Sequence, residues 1–241
     1  MKTSLAGSSL VDADESSHTL VAQSHGFEDV HETTIETAIA VAKKASSSRD
    51  ANICDEALKF VKEVIADTQQ HPKLSIALNM VGVLLSTKWM KTREPELLQE
   101  ALDYYHKALA MKPSSSVDMS NIANLMLSGM MHLNNPDALA EITSYAEKAV
   151  ILTSHNPASR EWCLRVLARV HIAAFRENGD FSRLDQALPV CREALVLQPK
   201  GANDLSALKL LLEILAVHYA HTGDIKVLEE ATKLRERENS T

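Results

Sequence analysis

The residues with the greatest chemical capacity in this 241-residue chain are few, and their spacing limits what they can do. His218, His221 and Asp224 follow one another at intervals of three. On a helix that spacing can turn two imidazoles to one face, and a carboxylate beyond them would extend a zinc-type ligand set. A simpler reading is preferred. His221 falls at the end of an apolar run, where a cationic ring meets the negative end of a helix dipole. Asp224 falls just before the next run, where a short carboxylate caps a helix. No metal and no cofactor is therefore expected, because short ligand motifs also arise by chance.

Cys54, Cys163 and Cys191 are too few and too scattered for a disulfide framework, and none forms a Cys-x-x-Cys pair. As a nucleophile Cys191 would need a histidine partner, but it shares the apolar phase of Val61, Tyr105 and Ala146 and reads as a small core residue. The chain has no Gly-rich phosphate loop, no Gly-x-Ser-x-Gly and no His-Glu-x-x-His. Adjacent acids such as Asp55-Glu56 and Glu229-Glu230 read as solvated first-turn carboxylates. No catalytic residue is assigned, and the chain is expected not to be an enzyme. The alternative is an enzyme or accessory enzyme subunit with an inter-helical pocket that uses dispersed His and Cys residues.

A row of charged positions offers binding instead. Lys62, His106, Glu147 and Arg192 recur at one register, followed by Glu63, Lys107, Lys148 and Glu193. Lys62, His106, Lys107, Lys148 and Arg192 are the candidate contacts to a protein or peptide partner. The competing reading is a solvated helix face with paired charges.

The elements that must position these residues come from an internal repeat. Asn178-Gly179-Asp180-Phe181-Ser182-Arg183-Leu184-Asp185-Gln186-Ala187 matches Thr222-Gly223-Asp224-Ile225-Lys226-Val227-Leu228-Glu229-Glu230-Ala231 at an offset of 44. Weaker copies begin at Arg49, Arg93 and Asn134, so that Ala57, Ala101, Ile142, Ala187 and Ala231 form a series of anchors with near-constant spacing. Asp50, Asn135, Asp180 and Asp224 stand at the N-cap place, with Glu94 a poorer fifth, and Pro95 and Pro136 suit a first helical turn. Each unit thus reads as two helices. The anchor helix comes first, and a strongly apolar second helix follows at roughly 73–90, 117–133, 158–177 and 204–221. Pro189 lies inside its helix and predicts a bend. A second apolar position, three past each anchor, holds Phe60, Tyr104, Tyr145, Val190 and Leu234, so the helices need cover on two sides, as stacking supplies.

These strings resemble the long tetratricopeptide-like (TPR) repeats of fungal proteins, which often stand beside CHAT protease-like or nucleotide-binding regulatory domains. The resemblance covers about residues 33–241. It implies an all-α, right-handed α-solenoid of tandem helix–turn–helix units with a period of about 44 residues, working in protein–protein interaction. It also implies that the first, anchor-bearing helices line the concave groove. The expected division is an acidic, disordered tail at 1–29 and a repeat domain at 30–241. The latter divides into a truncated leading unit 30–48, full units at about 49–92, 93–133, 134–178 and 179–221, and a capping helix 222–238. Phe27 and Val30 could dock the tail on the first helices.

Bulk composition agrees. Apolar residues make up 45% and aromatics only 4%, with 7 Gly and 7 Pro, which favours helices joined by short loops. The net charge of −7 is concentrated in residues 1–32, where six acids face Lys2 alone. The body is nearly neutral and lacks the basic face that nucleic-acid binding requires. No apolar run suits a signal peptide or a membrane span, since Lys209 and Glu213 break the most apolar segment. The expected partner is another protein or peptide, with self-association also open. The expected location is the cytoplasm or nucleus.

Overall fold

The computed structural model describes residues 34–48, 50–68, 70–133, 136–198 and 206–239. The tail expected at 1–29, with Phe27 and Val30, lies outside these, as does the cap position Asn135. Ten α-helices follow in order: α1 (Ile35–Ser46), α2 (Ala51–Asp67), α3 (Leu74–Thr92), α4 (Pro95–Met111), α5 (Ser116–Leu133), α6 (Leu139–Leu152), α7 (Pro157–Asn178), α8 (Ser182–Leu197), α9 (Ser206–Thr222) and α10 (Ile225–Asn239). Among the described residues there is no strand, and no helix is long and apolar enough to cross a membrane.

The junctions explain why the helices stop where they do. Gly179 and Gly223 end α7 and α9 in the left-handed conformation, at φ 71° and 65°, where a Cβ is unfavourable. Arg93 takes the same conformation after α3, at φ 62°. Its guanidinium stacks over the Trp89 ring at 4.7 Å, a cation–π contact that offsets the strain of a side chain there. Each of the three donates its N–H to a carbonyl four residues back, in Trp89, Phe175 and Tyr219. The polar residue just before (Thr92, Asn178 or Thr222) accepts the N–H of the coming cap residue, as Ser48 does from Asp50. Asp50, Asp180 and Asp224 then accept from Asn52, Ser182 and Lys226, while Glu94 makes no such side-chain bond. Before α6 the chain instead makes a 3-10 turn over Pro136–Ala138. Helix α8 runs unbroken through the exposed Pro189.

The interfaces of α1 with α2, α3 with α4, α5 with α6, α7 with α8 and α9 with α10 are each wider than the interfaces that join these pairs in sequence on either side. Their seam is the anchor stripe. Ala57, Val61 and Val64 on α2 are buried, as are Ala101, Tyr105 and Ala108 on α4. Ile142, Ala146 and Ala149 on α6 are likewise buried, and so are Ala187, Cys191 and Ala194 on α8. Small residues at 3.6-residue spacing let the backbones approach closely, and larger side chains fill the gaps between turns. Gly82 serves the same purpose on α3, because a Cβ there would lie 2.6 Å from the Tyr105 ring. Trp89 is fully buried, a burial worth roughly 2–3 kcal/mol.

Adjacent members of the series α1, α3, α5, α7 and α9 also pack on one another, whereas no comparable interface joins adjacent members of α2, α4, α6, α8 and α10. A stack whose one row is in contact and whose other row splays curves toward the row in contact. The result is an α-solenoid with α3, α5, α7 and α9 on its inner side.

His171 on α7 is buried with Nδ1 unpartnered, and burial, aided by nearby Arg183, pulls its pKa down to about 4. The folded state therefore holds the neutral ring. Its contribution is complete above the unfolded value of about 6.5 and is lost as pH falls toward 4. Replacing His171 by Leu should reduce the acid sensitivity of stability between these limits by roughly 1–3 kcal/mol, read by urea unfolding at several pH values. In the same assay Gly179→Ala and Gly223→Ala, which meet open space, should each cost about 1–2 kcal/mol through backbone strain alone. Gly82→Ala should cost about 1–3 kcal/mol through its clash with Tyr105.

Candidate partner-binding site

The structure takes the three-residue His-His-Asp string apart. The His218 ring packs at 4.9 Å from Phe181, and its Nε2 lies 3.3 Å from Asp185 Oδ1 on α8. The His221 ring packs edge-on to Phe175 at 5.0 Å, with Nδ1 bonded to Val217 O at 2.8 Å, while Asp224 caps α10. Among the described residues no group of three His, Cys, Asp or Glu side chains gathers as a metal site. All three cysteines are free and buried, and burial raises each thiol, that of Cys191 to about 12. Such thiols are almost wholly protonated at neutral pH and are poor nucleophiles.

The candidate row Lys62, His106, Lys107, Lys148 and Arg192 stands on α2, α4, α6 and α8, the splayed row. This differs from the expectation that anchor-bearing helices line the groove, and the cause is that the second helices are the ones that touch. The five residues also do not form one cluster. Lys62 donates to Glu100 on α4 at 2.6 Å, and Arg192 forks onto Glu230 on α10 at 2.6 and 2.9 Å. Both pairs run from five past one anchor to one before the next, so they are the same bond repeated. Between them, His106 leans on the Tyr145 ring at 6.1 Å. Lys107 covers the Tyr104 ring at 5.0 Å, and Lys148 borders a notch at the end of α6.

A second set of polar side chains joins the inner helices, and the sequence reading misses it. Asn79 on α3 bonds to the buried Asp118 on α5, whose carboxyl is pushed up by burial. Asn121 adds a bond to Asn79 at 3.4 Å. On the next step Arg169 of α7 donates to the side-chain carbonyl of Asn124 on α5. Arg165, one turn earlier, bonds to Ser206 on α9, pairs with Glu161 at 2.8 Å and lies 5.0 Å from the Trp162 ring. Arg176 pairs with Glu213 of α9.

Arg165 and Arg169 therefore lie on one helical face of the inner row, one turn apart. Burial, and then the like charge of Arg165, lowers the Arg169 pKa. Taking a guanidinium out of water is costly unless a carboxylate neutralises it. Here the bonded partner is an amide, while Glu161 and Glu213 are paired with Arg165 and Arg176. The half-buried Trp162 lies beside Arg165, and Ile76 and Val117 are exposed near the starts of α3 and α5. The signal was present in the sequence as Arg165-x-x-x-Arg169 on an apolar helix, but only the packing of α5 on α7 shows which way it faces.

No protein-family profile matches this chain. No curated protein matches it either. Solved structures do. An ArsTM double mutant of MamA RS-1 superposes with a TM-score of 0.56 at 12% identity, covering 88% of this chain and all (100%) of that one. A Podosopora anserina protein described as a kinesin light chain, with nearly identical TPR-like repeats, gives 0.54 at 14% identity, over 86% of this chain and 97% of that one. A single-substitution variant of it gives 0.54 at 15% identity over the same shares, 86% and 97%. At such identities the likeness establishes the fold, a TPR-like helical-repeat solenoid.

The outer ion pairs are half-exposed, so they should contribute little: Lys62→Ala or Arg192→Ala should lower stability by less than about 1 kcal/mol in urea unfolding. A loss several times larger would mean that they, and not the apolar seam, hold successive units in register.

Proposed function

We propose that this chain is a non-catalytic scaffold that holds an acid-bearing segment of a partner protein along its inner helices. The observation that carries this reading is Arg169, a half-buried guanidinium whose bonded partner is the Asn124 amide, set one turn from Arg165. A partner carboxylate reaching that face would gain charge-assisted, bidentate bonds. The Trp162 ring beside Arg165 would take an apolar side chain next to it. TPR-like solenoids generally bind proteins or peptides, and the protonated, buried thiols speak against the alternative of an enzyme built on dispersed cysteines. The repeat frame proposed with it is five hairpins, each broken at its capped turn, in place of a truncated first unit and a lone last helix. Lys107 and Lys148, without a cross-unit acid, remain candidates for contact on the outer face.

A synthetic array of random 12-residue peptides graded in charge tests the proposal. Acidic peptides should be retained, and Arg169→Met should weaken their capture at least roughly tenfold, the loss of one charge-assisted contact of about 1.5–3 kcal/mol. The same variant should unfold at an unchanged or higher urea concentration, because it removes a buried charge. Capture that favours basic peptides, or that is indifferent to Arg169→Met, would contradict the assignment.

A further inference from the structure

A second surface lies at the edge where the turn from α4 to α5 meets the end of α6. Pro113 and Ser114 in the turn after α4, Met119 on α5, and Lys148, Ile151 and Leu152 at the end of α6 enclose an open notch of about 400 Å³. Its floor is apolar, and a protein surface does not ordinarily leave such side chains wet: Ile151 is 72% exposed and Leu152 45%, with Met111 beside the turn at 51%. The equivalent of Ile151 is Ala66 in the first unit, Ala110 in the second and Val196 in the fourth, so a bulky apolar side chain stands here only in the later units.

The charge around it is also specific. Lys148 at the rim, and Lys107 and Lys112 on the flank, are exposed and have no ion-pair partner among the described residues. At the register of Lys107 and Lys148, the first unit has Glu63 paired with Lys59, and the fourth has Glu193 paired with Arg160. Only the middle units place a lysine there. The nearest buried acid, Asp118, is turned inward to Asn79.

We infer that this notch is a docking site for a short segment of another protein, in which one large apolar side chain stands beside Asp or Glu. The apolar residue fills the notch over Ile151 and Leu152, and the acid meets Lys148. A membrane surface fits less well, because the exposed apolar side chains are confined to a small notch bordered by a turn and lack the broad apolar face that interfacial binding needs. The inference is independent of the inner-row reading, since the two surfaces share no residue.

The experiment is selection of random dodecapeptides displayed on phage against the whole chain, followed by titration of the enriched peptide on three variants. Enriched peptides should share an apolar residue next to an acid. Their affinity should fall at least tenfold with Lys148→Glu and with Ile151→Asp, both exposed positions, and should be unchanged with Lys226→Glu, an exposed lysine on α10. Changing the peptide's acid to lysine should abolish binding to the parent chain and restore it to Lys148→Glu. No enrichment, enrichment without that pattern, or an affinity that Lys148→Glu or Ile151→Asp leaves at the parent value would overturn the inference. So would Ile151-dependent sedimentation with phosphatidylserine vesicles in the absence of such peptides.

Discussion

Each helix between the first and the last of this stack has apolar side chains on two faces, and only a neighbour on each side keeps them from water. Ala101, Tyr105 and Ala108 close α4 on α3, while Leu98 of the same helix presses on Gly129 of α5. No single hairpin could bury both faces. The hydrophobic contacts therefore run as a chain of local cores along the solenoid, each shared by consecutive helices. Polar links sit at the rims: Lys62–Glu100 and Arg192–Glu230 on one side, Asn79–Asp118 and Asn124–Arg169 on the other. They set register between units more than they add stability.

Much of this is legible in the sequence because it is local. Helix limits follow from Asp50, Asp180, Asp224, Gly179 and Gly223, whose roles depend on a few neighbouring residues. Cys191 is placed in the core by its phase alone. What is not legible is of two kinds. A tandem repeat carries a period but no phase, so the sequence pairs α2 with α3 as readily as α1 with α2, and only the breadth of the interfaces separates them. The inner side is hidden for a related reason: it depends on which row of helices touches across units, a distance no single helix encodes. Arg93 in a left-handed turn escapes too, because its compensation lies in the Trp89 ring four residues back, and turn chemistry alone points to glycine.

The same geometry moves the functional reading. The charged row that repeats most visibly is partly spent on bonds between units, while the inner Arg165 and Arg169 look in sequence like stray charges on a greasy helix. Repetition advertises structure. The residues that break it, an arginine on an amide or a lysine where glutamate stands in the first and fourth units, are the ones proposed to meet a partner.

Native-state hydrogen exchange on a chain ending after α8 tests the central claim of neighbour-dependent burial most directly. Loss of α9 and α10 uncovers Cys191, Leu188 and the apolar side of α8. Exchange should quicken sharply in α7 and α8, less in α5 and α6, and not at all in α1 and α2. A uniform change across all helices, or none in α8, would contradict it, since either result would mean that one common core holds the chain together.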